Sequence, residues 1–312
     1  MRDDTMLLTD HPAHAAAFLP EGISFERMAA GENDQMRDVW KEFGQGADVW
    51  VAGRGPRMEV LIDEARGSQF DRAMQALAGG LELPDGLVCS ALCGSGFRGQ
   101  RQRGWSALRG NLHLSAHYRL GVTASLAQVA LTAMPAVVAA EAIARVSEGR
   151  LKPGIKWVND VLLGKAKVSG VLTSTQIEGC QVSRAVFGIG LNVEVTPELE
   201  GSLFIPSASC LADLDPGCRG KLPNLYRAVV EGLDREIEAL RSGVDTGVFE
   251  RYRSRADFIG KNVGLWSEDQ DRTEGIPPMI KGKVLDLRPD LSLVIEGHSY
   301  PVRAGRLAIL SE

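Results

Sequence analysis

The chain has 312 residues, of which 44% are hydrophobic and 24% charged. This is an ordinary globular composition with enough apolar material for one large core and a smaller one, and it argues against intrinsic disorder. The formal net charge of -5 and the pI of about 5.7 lack the overall basic field that is typical of nucleic-acid-binding proteins.

The N-terminus and the cysteines indicate a cytoplasmic protein. Residues 1–10 are polar and acidic and lack the apolar core of a secretory signal. The most apolar stretch, residues 125–144, contains Gln128, Pro135 and Glu141, which favours a buried helix over a membrane span. The five cysteines have no CxxC spacing, so a disulfide framework or a zinc site is disfavoured.

Hydrophobic periodicity predicts a large domain over residues 46–250, preceded by an N-terminal extension over residues 1–45. Strands are predicted at residues 48–62 (broken at 53–56), 87–92, 111–117, 155–158, 168–176 and 181–192. Helices are predicted at residues 70–78, from 125 to about 148, and at 222–240. The predicted architecture is therefore α+β, with helices flanking a mixed sheet.

The pattern of predicted secondary structure changes near residue 245. Short runs of β type follow at residues 262–266, 280–285, 291–296 and 299–302, separated by turn signals such as Pro289-Asp290. Residues 256–312 are therefore predicted to form a small β domain, an SH3-like barrel. At the other end, Gly31, Gly44 and Gly46 interrupt the one helical stretch of residues 1–45, so we expect no DNA-binding helix-turn-helix there.

Residues 94–105 form a segment rich in glycine and arginine, which we call the glycine–arginine loop. Its glycines allow the backbone to approach a ligand closely. Arg98, Arg101 and Arg103 supply planar, permanently charged donors that suit phosphate or carboxylate. The segment can therefore close over an acyl-phosphate or a nucleotide, although a solvated basic surface loop has the same composition.

Two further patterns are weak. The string from Gly94 to Gly99 matches the dinucleotide fingerprint GxGxxG, but no helix follows it, and residues 115–123 contain no Asp or Glu. A dehydrogenase is therefore disfavoured. His113 and His117 share one face of a predicted strand, yet without a third ligand nearby ordinary groove histidines are favoured over a metal site.

Lys156, Asn159 and Asp160 lie within five residues of one another, and Lys167 and Gly170 follow shortly afterwards. Asn and Asp oxygens at the end of a strand can hold Mg²⁺, which bridges nucleotide phosphates. A lysine in the same site can neutralise a carboxylate that attacks a phosphoryl centre. A surface turn with a solvated Asn-Asp pair is the alternative interpretation.

Several motifs together resemble the biotin protein ligases, whose signature is KWPND…KxxGIL. The matching residues, in chain order, are Lys156-Trp157-Val158-Asn159-Asp160 and Lys167-Val168-Ser169-Gly170-Val171-Leu172. The glycine–arginine loop ending at Trp105 resembles the GRGRxGRxW loop of that family. Two further segments also resemble elements of that family: the strand Gly110-Asn111-Leu112-His113-Leu114-Ser115 and the element Gly188-Ile189-Gly190-Leu191-Asn192. The resemblance runs from about residue 60 to the end of the chain.

The resemblance implies a two-step reaction on a fold similar to that of class II aminoacyl-tRNA synthetases. Biotin and ATP, with Mg²⁺, would give biotinyl-5′-AMP, and a lysine of a biotin carboxyl carrier domain would then accept the biotin. It also makes residues 46–250 the catalytic domain, and a homodimer is conceivable by analogy. Because the sequence shows neither a helix-turn-helix nor a membrane span, we expect no DNA or membrane partner of this cytoplasmic enzyme.

Site residues are carried over by position. The resemblance assigns catalytic roles to Lys167, Arg98, Arg101 and Asp160, and a metal-binding role to Asn159 and Asp160. Residues expected to contact the substrate or the nucleotide are Ser68, Gly94, Gly96, Gly99, Gln100, Arg103, Trp105, Asn111, Lys156, Asn159, Gly170, Gly190 and Asn192. Among these, Lys167 would contact both the biotin carboxylate and the phosphate, and Trp105 would lie against the adenine.

The chain departs from the family pattern at the acid-binding end. Phe97 stands where the loop usually has its first glycine, and Gln100 where it usually has an arginine. Gly94 occupies the usual position of a glutamine that bonds biotin, and Gly67-Ser68-Gln69 is the nearest match to the Ser-Thr-Asn motif. Two alternatives therefore stay open: a weakly active homologue that binds biotin or a carrier protein, and a lipoate or octanoate ligase of the same fold.

Overall fold

The computed structural model describes residues 5–15, 18, 23–29, 33–44, 46, 48–199, 201–270 and 275–310. Within these residues the chain forms an eleven-stranded sheet with helices on both faces and a separate four-stranded sheet near the C-terminus. The predicted α+β architecture with a mixed sheet is therefore confirmed.

The large sheet contains both parallel and antiparallel pairs. Its strands are β1 (Thr5–Thr9), β2 (Glu26–Arg27), β3 (Trp50–Ala52), β4 (Arg57–Arg66), β5 (Leu87–Ser95), β6 (Leu112–Thr123), β7 (Gly154–Lys156), β8 (Asp160–Leu163), β9 (Ala166–Glu178), β10 (Gln181–Leu191) and β11 (Ser207–Ala208). They lie in the order β2-β3-β1-β4-β5-β6-β10-β9-β8-β7, with β11 beside β9. Strand β4 runs parallel to β1 and β5, whereas β5, β6, β10, β9 and β8 follow one another in antiparallel pairs.

Helices cover both faces of this sheet. They are α1 (Pro12–Ala15), α2 (Asp34–Phe43), α3 (Gln69–Ala78), α4 (Ala124–Val146), α5 (Leu211–Leu214), α6 (Leu222–Arg241) and α7 (Val248–Arg253). Alternate strand residues point to opposite faces. Thus Cys89 and Ala91 of β5 join the core under α2 and α3, and Val88 and Leu92 join the core under α4 and α6.

Helix α4 is the most apolar element of the chain. Its segment Val129–Val146 is long and apolar enough to cross a membrane, and 61% of that segment is buried inside the protein. The burial is against the sheet and against α6, where Gly232 lets Val138 approach closely. The segment therefore has the surroundings expected of a core helix.

The first 45 residues contribute directly to the large sheet. Strand β1 lies between β3 and β4, with Leu7 opposite Ala52 on one side and Glu59 on the other. Leu7 and Leu8 are almost fully buried. Helix α2 is amphipathic and packs with α3. The part of this segment that the structure describes is thus continuous with the domain that follows it.

The C-terminal sheet consists of β12 (Asn262–Trp266), β13 (Ile280–Leu287), β14 (Leu293–Ile295) and β15 (Arg306–Ile309), in the antiparallel order β14-β13-β12-β15. The prediction of a strand at 299–302 is wrong, because Val302 makes only an isolated bridge to Leu293. Pro301 lacks the N–H that a ladder needs. Strand β15 closes the sheet instead, with Leu307 and Ala308 buried.

Candidate active site

A cavity of about 310 Å³ lies on the α3 face of the large sheet, between the glycine–arginine loop and the C-terminal sheet. We call it the central cavity. The residues predicted from the sequence that line it are Ser68, Arg98, Gly99, Gln100, Arg101, Arg103, Trp105, Lys156, Asn159, Asp160, Lys167, Gly170 and Gly190. Segments that are far apart in sequence therefore meet in one place.

One end of the central cavity carries a cluster of charges. Lys167 Nζ lies 2.5 Å from Asp160 Oδ1, and the pairing of β8 with β9 sets Asp160 opposite Gly170. Burial opposes ionisation of Asp160, but the charges of Lys167 and Lys156 outweigh it and hold its pKa below the ordinary value. Burial lowers the pKa of Lys156 to about 8, although Asp160 partly offsets this. Its ammonium group donates to the backbone oxygen of Phe204.

Asn159 fixes the turn that precedes β8. Its side-chain Nδ2 donates to the backbone oxygen of Val171 at 2.9 Å, while Val171 N donates to the backbone oxygen of Asn159 at 3.0 Å. These two bonds hold the turn against the edge of β9. They explain why Asn159 and Asp160 both reach the cavity that Lys167 enters from β9.

Trp105 lies flat on the floor of the central cavity. A Cβ atom at Gly190 would overlap the indole ring, and a Cβ atom at Gly170 would lie 3.4 Å from it. Lys167 Nζ is 5.9 Å from the centre of the same ring. Gly190 is therefore required for the tryptophan to pack directly on the backbone of β10, whereas an added Cβ at Gly170 would be crowded by Lys167, at 3.2 Å, before it met the ring.

His113 holds Trp105 in place, a role that sequence reasoning missed. The indole Nε1–H donates to His113 Nδ1 at 3.2 Å, and His113 Nε2 bonds to the backbone oxygen of Leu108 at 3.1 Å. These partners require the neutral ring with its proton on Nε2. Burial lowers the pKa of His113 to about 4, against the opposing effect of the Leu108 carbonyl, so the ring is neutral at physiological pH.

The opposite end of the central cavity is apolar. Phe97 is buried and its ring packs edge-on against His113, with 5.7 Å between the ring centres. A side chain at Gly94 would overlap both the backbone oxygen of Ala65 and the Phe97 ring. The glutamine that the sequence resemblance leads one to expect at the position of Gly94 therefore has no room here, because Phe97 fills the space.

Helix α3 begins at this apolar end. Ser68 caps it, since its Oγ accepts from Asp71 N at 3.1 Å. Phe70 packs against Gly188, whose added Cβ would lie 3.1 Å from the ring. Gln69 also lines the cavity and is 2% exposed. The sequence named Gln69 only as part of the nearest match to the Ser-Thr-Asn motif and did not indicate Phe70, because only the packing of α3 on the sheet places the two side chains there.

Four of the predicted site residues are not among the residues that line the central cavity: Gly94, Gly96, Asn111 and Asn192. Asn111 is fully buried, and its Oδ1 accepts three backbone N–H groups, those of residues 193, 194 and 195. It therefore organises the chain that leaves β10. Asn192 donates through Nδ2 to the Ser209 backbone oxygen at 3.1 Å and has a similar supporting position.

Two of the three arginines of the glycine–arginine loop contact the turn after β12. Arg101 forms an ion pair with Glu268, and Arg103 donates to the Glu268 backbone oxygen at 3.1 Å. Arg98 donates to Gln102 Oε1 within the loop at 2.5 Å and is exposed. The loop is thus tied to the turn after β12, and both form one wall of the cavity.

Metal-binding side chains are sparse in the part of the chain that the structure describes, where no three His, Cys, Asp or Glu residues lie together. Asp160 and Asn159 supply oxygen donors at the charged end of the cavity. One carboxylate and one amide fit Mg²⁺, which keeps water and substrate phosphates as its remaining ligands. His117 does not join His113, because it bonds to the Pro84 backbone oxygen at 2.9 Å.

Comparison with known proteins agrees with these features. No protein-family model matches the chain. It is 28% identical over 300 residues to "Bifunctional ligase/repressor BirA" of Salmonella typhimurium, covering 87% of this chain and 89% of that protein. It is 26% identical over 281 residues to "Biotin--[acetyl-CoA-carboxylase] ligase" of Mycobacterium tuberculosis, covering 88% and 97%.

The fold also has solved counterparts. The biotin protein ligase of Aquifex aeolicus in complex with biotin and ATP superposes with a TM-score of 0.61 at 19% identity, covering 81% of this chain and 99% of that one. Sequence and fold comparisons thus lead to the same group of proteins.

Proposed function

Because the chain is a homologue of the biotin protein ligases, we propose that it activates biotin with ATP and transfers it to a protein lysine. The product of the first step is biotinyl-5′-AMP, and the acceptor is a biotin carboxyl carrier domain of a carboxylase. One observation carries the proposal: Lys156, Asp160 and Lys167 converge at one end of a cavity whose floor is Trp105 and whose other end is apolar.

In the first step an oxygen of the biotin carboxylate attacks the α-phosphorus of ATP, and pyrophosphate leaves. Two anions must approach each other, so positive charge has to be in place beforehand. Lys167 is suited to bridge the carboxylate and the phosphate, because its pairing with Asp160 holds the ammonium group at the cavity wall. Magnesium bound to the ATP phosphates, with Asn159 and Asp160 as its protein donors, would neutralise further charge.

In the second step the amine of the carrier lysine attacks the carbonyl carbon of the mixed anhydride. The amide bond forms, the acyl–phosphate bond breaks, and AMP leaves with the electron pair. The intermediate must be protected from water until the carrier arrives. The glycine–arginine loop is suited to this, since Arg101 and Arg103 tie it to the C-terminal sheet above the cavity.

Pyrophosphate release from MgATP by the purified protein, with biotin and with lipoate in separate reactions, tests the proposal. We expect release with biotin, and a loss of roughly 10²–10³-fold in Lys167→Ala, as is common when one preorganised charge partner is removed. Lys165→Ala is the matched control, because Lys165 is exposed and two residues away, and it should retain full activity.

Other outcomes identify the alternatives. Biotin binding without pyrophosphate release would leave a binding protein built on a ligase fold. Release with lipoate but not with biotin would establish a lipoate ligase instead. Incubation with an isolated carrier domain and detection of its biotin by streptavidin then tests the transfer step separately from activation.

Four finer expectations are also proposals. The antiparallel order β14-β13-β12-β15 supports an SH3-like barrel for the C-terminal domain. Five free cysteines fit a reducing cytoplasm. A homodimer is proposed by analogy alone, and sedimentation velocity would test it. The absence of DNA binding stays a prediction, which a specific electrophoretic mobility shift would overturn.

A further inference from the structure

We infer that Tyr252 is a positioning residue for the activation step, because its hydroxyl group holds the turn that carries Asn159 and Asp160, the two proposed magnesium donors. The inference rests on the proposed ligase function and deepens it, since it assigns the geometry of the nucleotide end of the cavity to a residue outside the cavity wall. Tyr252 belongs to α7 and is not among the residues that line the central cavity.

The hydroxyl group of Tyr252 donates to the backbone oxygen of Val158 at 3.0 Å. The residue is fully buried, and a buried carbonyl that loses its donor cannot turn to bulk water instead. Burial raises the pKa of Tyr252, and the charge of Asp160 raises it further. The hydroxyl group therefore stays protonated and acts as a donor throughout the physiological pH range.

This bond fixes one end of the turn before β8. The accepting carbonyl of Val158 and the N–H of Asn159 belong to one planar peptide group, so the bond also sets the direction in which Asn159 leaves. The other end is held by Val171, which exchanges two hydrogen bonds with Asn159. Asp160 follows directly and pairs with Lys167. Without the hydroxyl group the turn would move to give the carbonyl another partner, and both oxygen donors would move with it.

The helix that carries the hydroxyl group is itself fixed. Arg251 pairs with Glu141 of α4 at 2.9 Å and with Glu236 of α6 at 2.6 Å, and Glu236 is almost fully buried. Just after the helix, the backbone oxygen of Arg255 accepts from Ile155 N at 2.6 Å. Helix α7 thus joins two core helices to the strand that leads into the turn, and it gives the hydroxyl group a rigid support.

Magnesium makes the position of this turn important. The ion requires nearly ideal octahedral geometry, so a small displacement of its protein donors weakens binding. Groups that orient metal ligands without touching the metal commonly change metal affinity or activity by about 10–100-fold when they are removed. The effect of the hydroxyl group should therefore appear in the Mg²⁺ dependence of nucleotide binding.

The test is binding of α,β-methylene-ATP, which cannot release pyrophosphate, to the full-length protein at a series of Mg²⁺ concentrations with biotin present. Tyr252→Phe removes the hydroxyl group and keeps the ring that packs in the core. Tyr118→Phe is the matched control, because Tyr118 is also buried and its hydroxyl group donates to Asp234 Oδ1 at 2.8 Å, outside the cavity lining. We expect Tyr252→Phe to need at least about tenfold more Mg²⁺ for half-maximal binding, whereas Tyr118→Phe should match the wild type.

Thermal unfolding and biotin binding separate positioning from a purely structural role. Each substitution removes one buried hydrogen bond, so both should lower the melting temperature by a similar amount and leave biotin affinity unchanged. A lower melting temperature of Tyr252→Phe with the Mg²⁺ dependence of the wild type would overturn the inference and make Tyr252 a structural residue. An equal shift of the Mg²⁺ dependence in both variants would also overturn it, because the effect would then come from a general loss of stability.

Failure of the ligase function gives a different result. Wild-type protein that binds the nucleotide analogue but releases no pyrophosphate from MgATP, with biotin or with lipoate, would refute the proposed activity. The comparison of Tyr252→Phe with Tyr118→Phe would still decide the inference, because binding is measured without turnover. Wild-type protein whose binding of the analogue is independent of Mg²⁺ would overturn the inference alone.

Discussion

The pH dependence of stability should be governed in part by His113. Its ring is 3% exposed, accepts from the Trp105 indole and bonds to the Leu108 backbone oxygen. Protonation would place a hydrogen on Nδ1, where the indole already donates, and would put a charge in an apolar surrounding. The fold therefore holds the ring neutral, and acid should destabilise the protein well above the range where carboxylates titrate.

The size of the loss of stability in acid follows from the shift in the pKa of His113. Burial lowers the pKa of His113 from 6.5 to about 4. Between these values the unfolded chain binds a proton at this ring that the folded chain does not, so stability falls as the pH is lowered from 6.5 to 4. The full difference corresponds to about 3 kcal/mol. In a chain of 312 residues, with an unfolding entropy of about 2.1 cal/mol/K per residue, that is a decrease in melting temperature of roughly 5 °C.

The assay is chemical denaturation at several pH values from 7.5 to 4.5 for the wild type, His113→Gln and His298→Gln. His117 acts in the same direction, since burial also lowers its pKa, so the diagnostic quantity is the difference between the curves. His113→Gln should show a flatter curve, and His298→Gln, with an exposed side chain, should follow the wild type. Parallel curves for all three proteins would refute the reasoning.

Two further substitutions test the architecture of the cavity. Gly190→Ala should displace Trp105, destabilise the protein by about 1–3 kcal/mol and raise the KM for ATP. Gly104→Ala is the control and should be tolerated, because no atom lies within 4 Å of a Cβ added at Gly104. Steady-state kinetics and melting temperatures of the two variants test this prediction. Asn111→Ala should cost roughly 3 kcal/mol in urea denaturation, because three backbone N–H groups lose their acceptor, and a cost below about 1 kcal/mol would contradict the role assigned to it.

Local patterns in the sequence determined most of the elements. The helix predicted at 70–78 is observed at Gln69–Ala78, and the strand predicted at 262–266 is observed at Asn262–Trp266. These segments show clear hydrophobic periodicity, which depends on neighbouring residues alone. The prediction of a strand at 299–302 was wrong because the composition of a short segment does not show which partner it can pair with. The last strand is instead β15, which pairs with β12 across the sheet.

The charged part of the cavity was also readable from the sequence. Lys156, Asn159, Asp160 and Lys167 belong to one short motif, and adjacent strands bring the ends of such a motif together. Asn111 was assigned to the site from its motif, and the tertiary structure assigns it to the support of the chain after β10. A motif identifies a residue that is required, but not whether it contacts the ligand.

What only the tertiary structure decided is the end of the central cavity that lies opposite its charged end. Phe97 occupies the space beside Gly94 because β4 and the glycine–arginine loop leave no room for another side chain. Phe70 reaches the cavity from α3, and the contact of His113 with Trp105 depends on how the glycine–arginine loop packs on β6. Side-chain environment depends on which elements pack together, and periodicity carries no information about that. The sequence therefore determined the charged end of the cavity, and the packing of α3 against the sheet determined which residues lie at its opposite end.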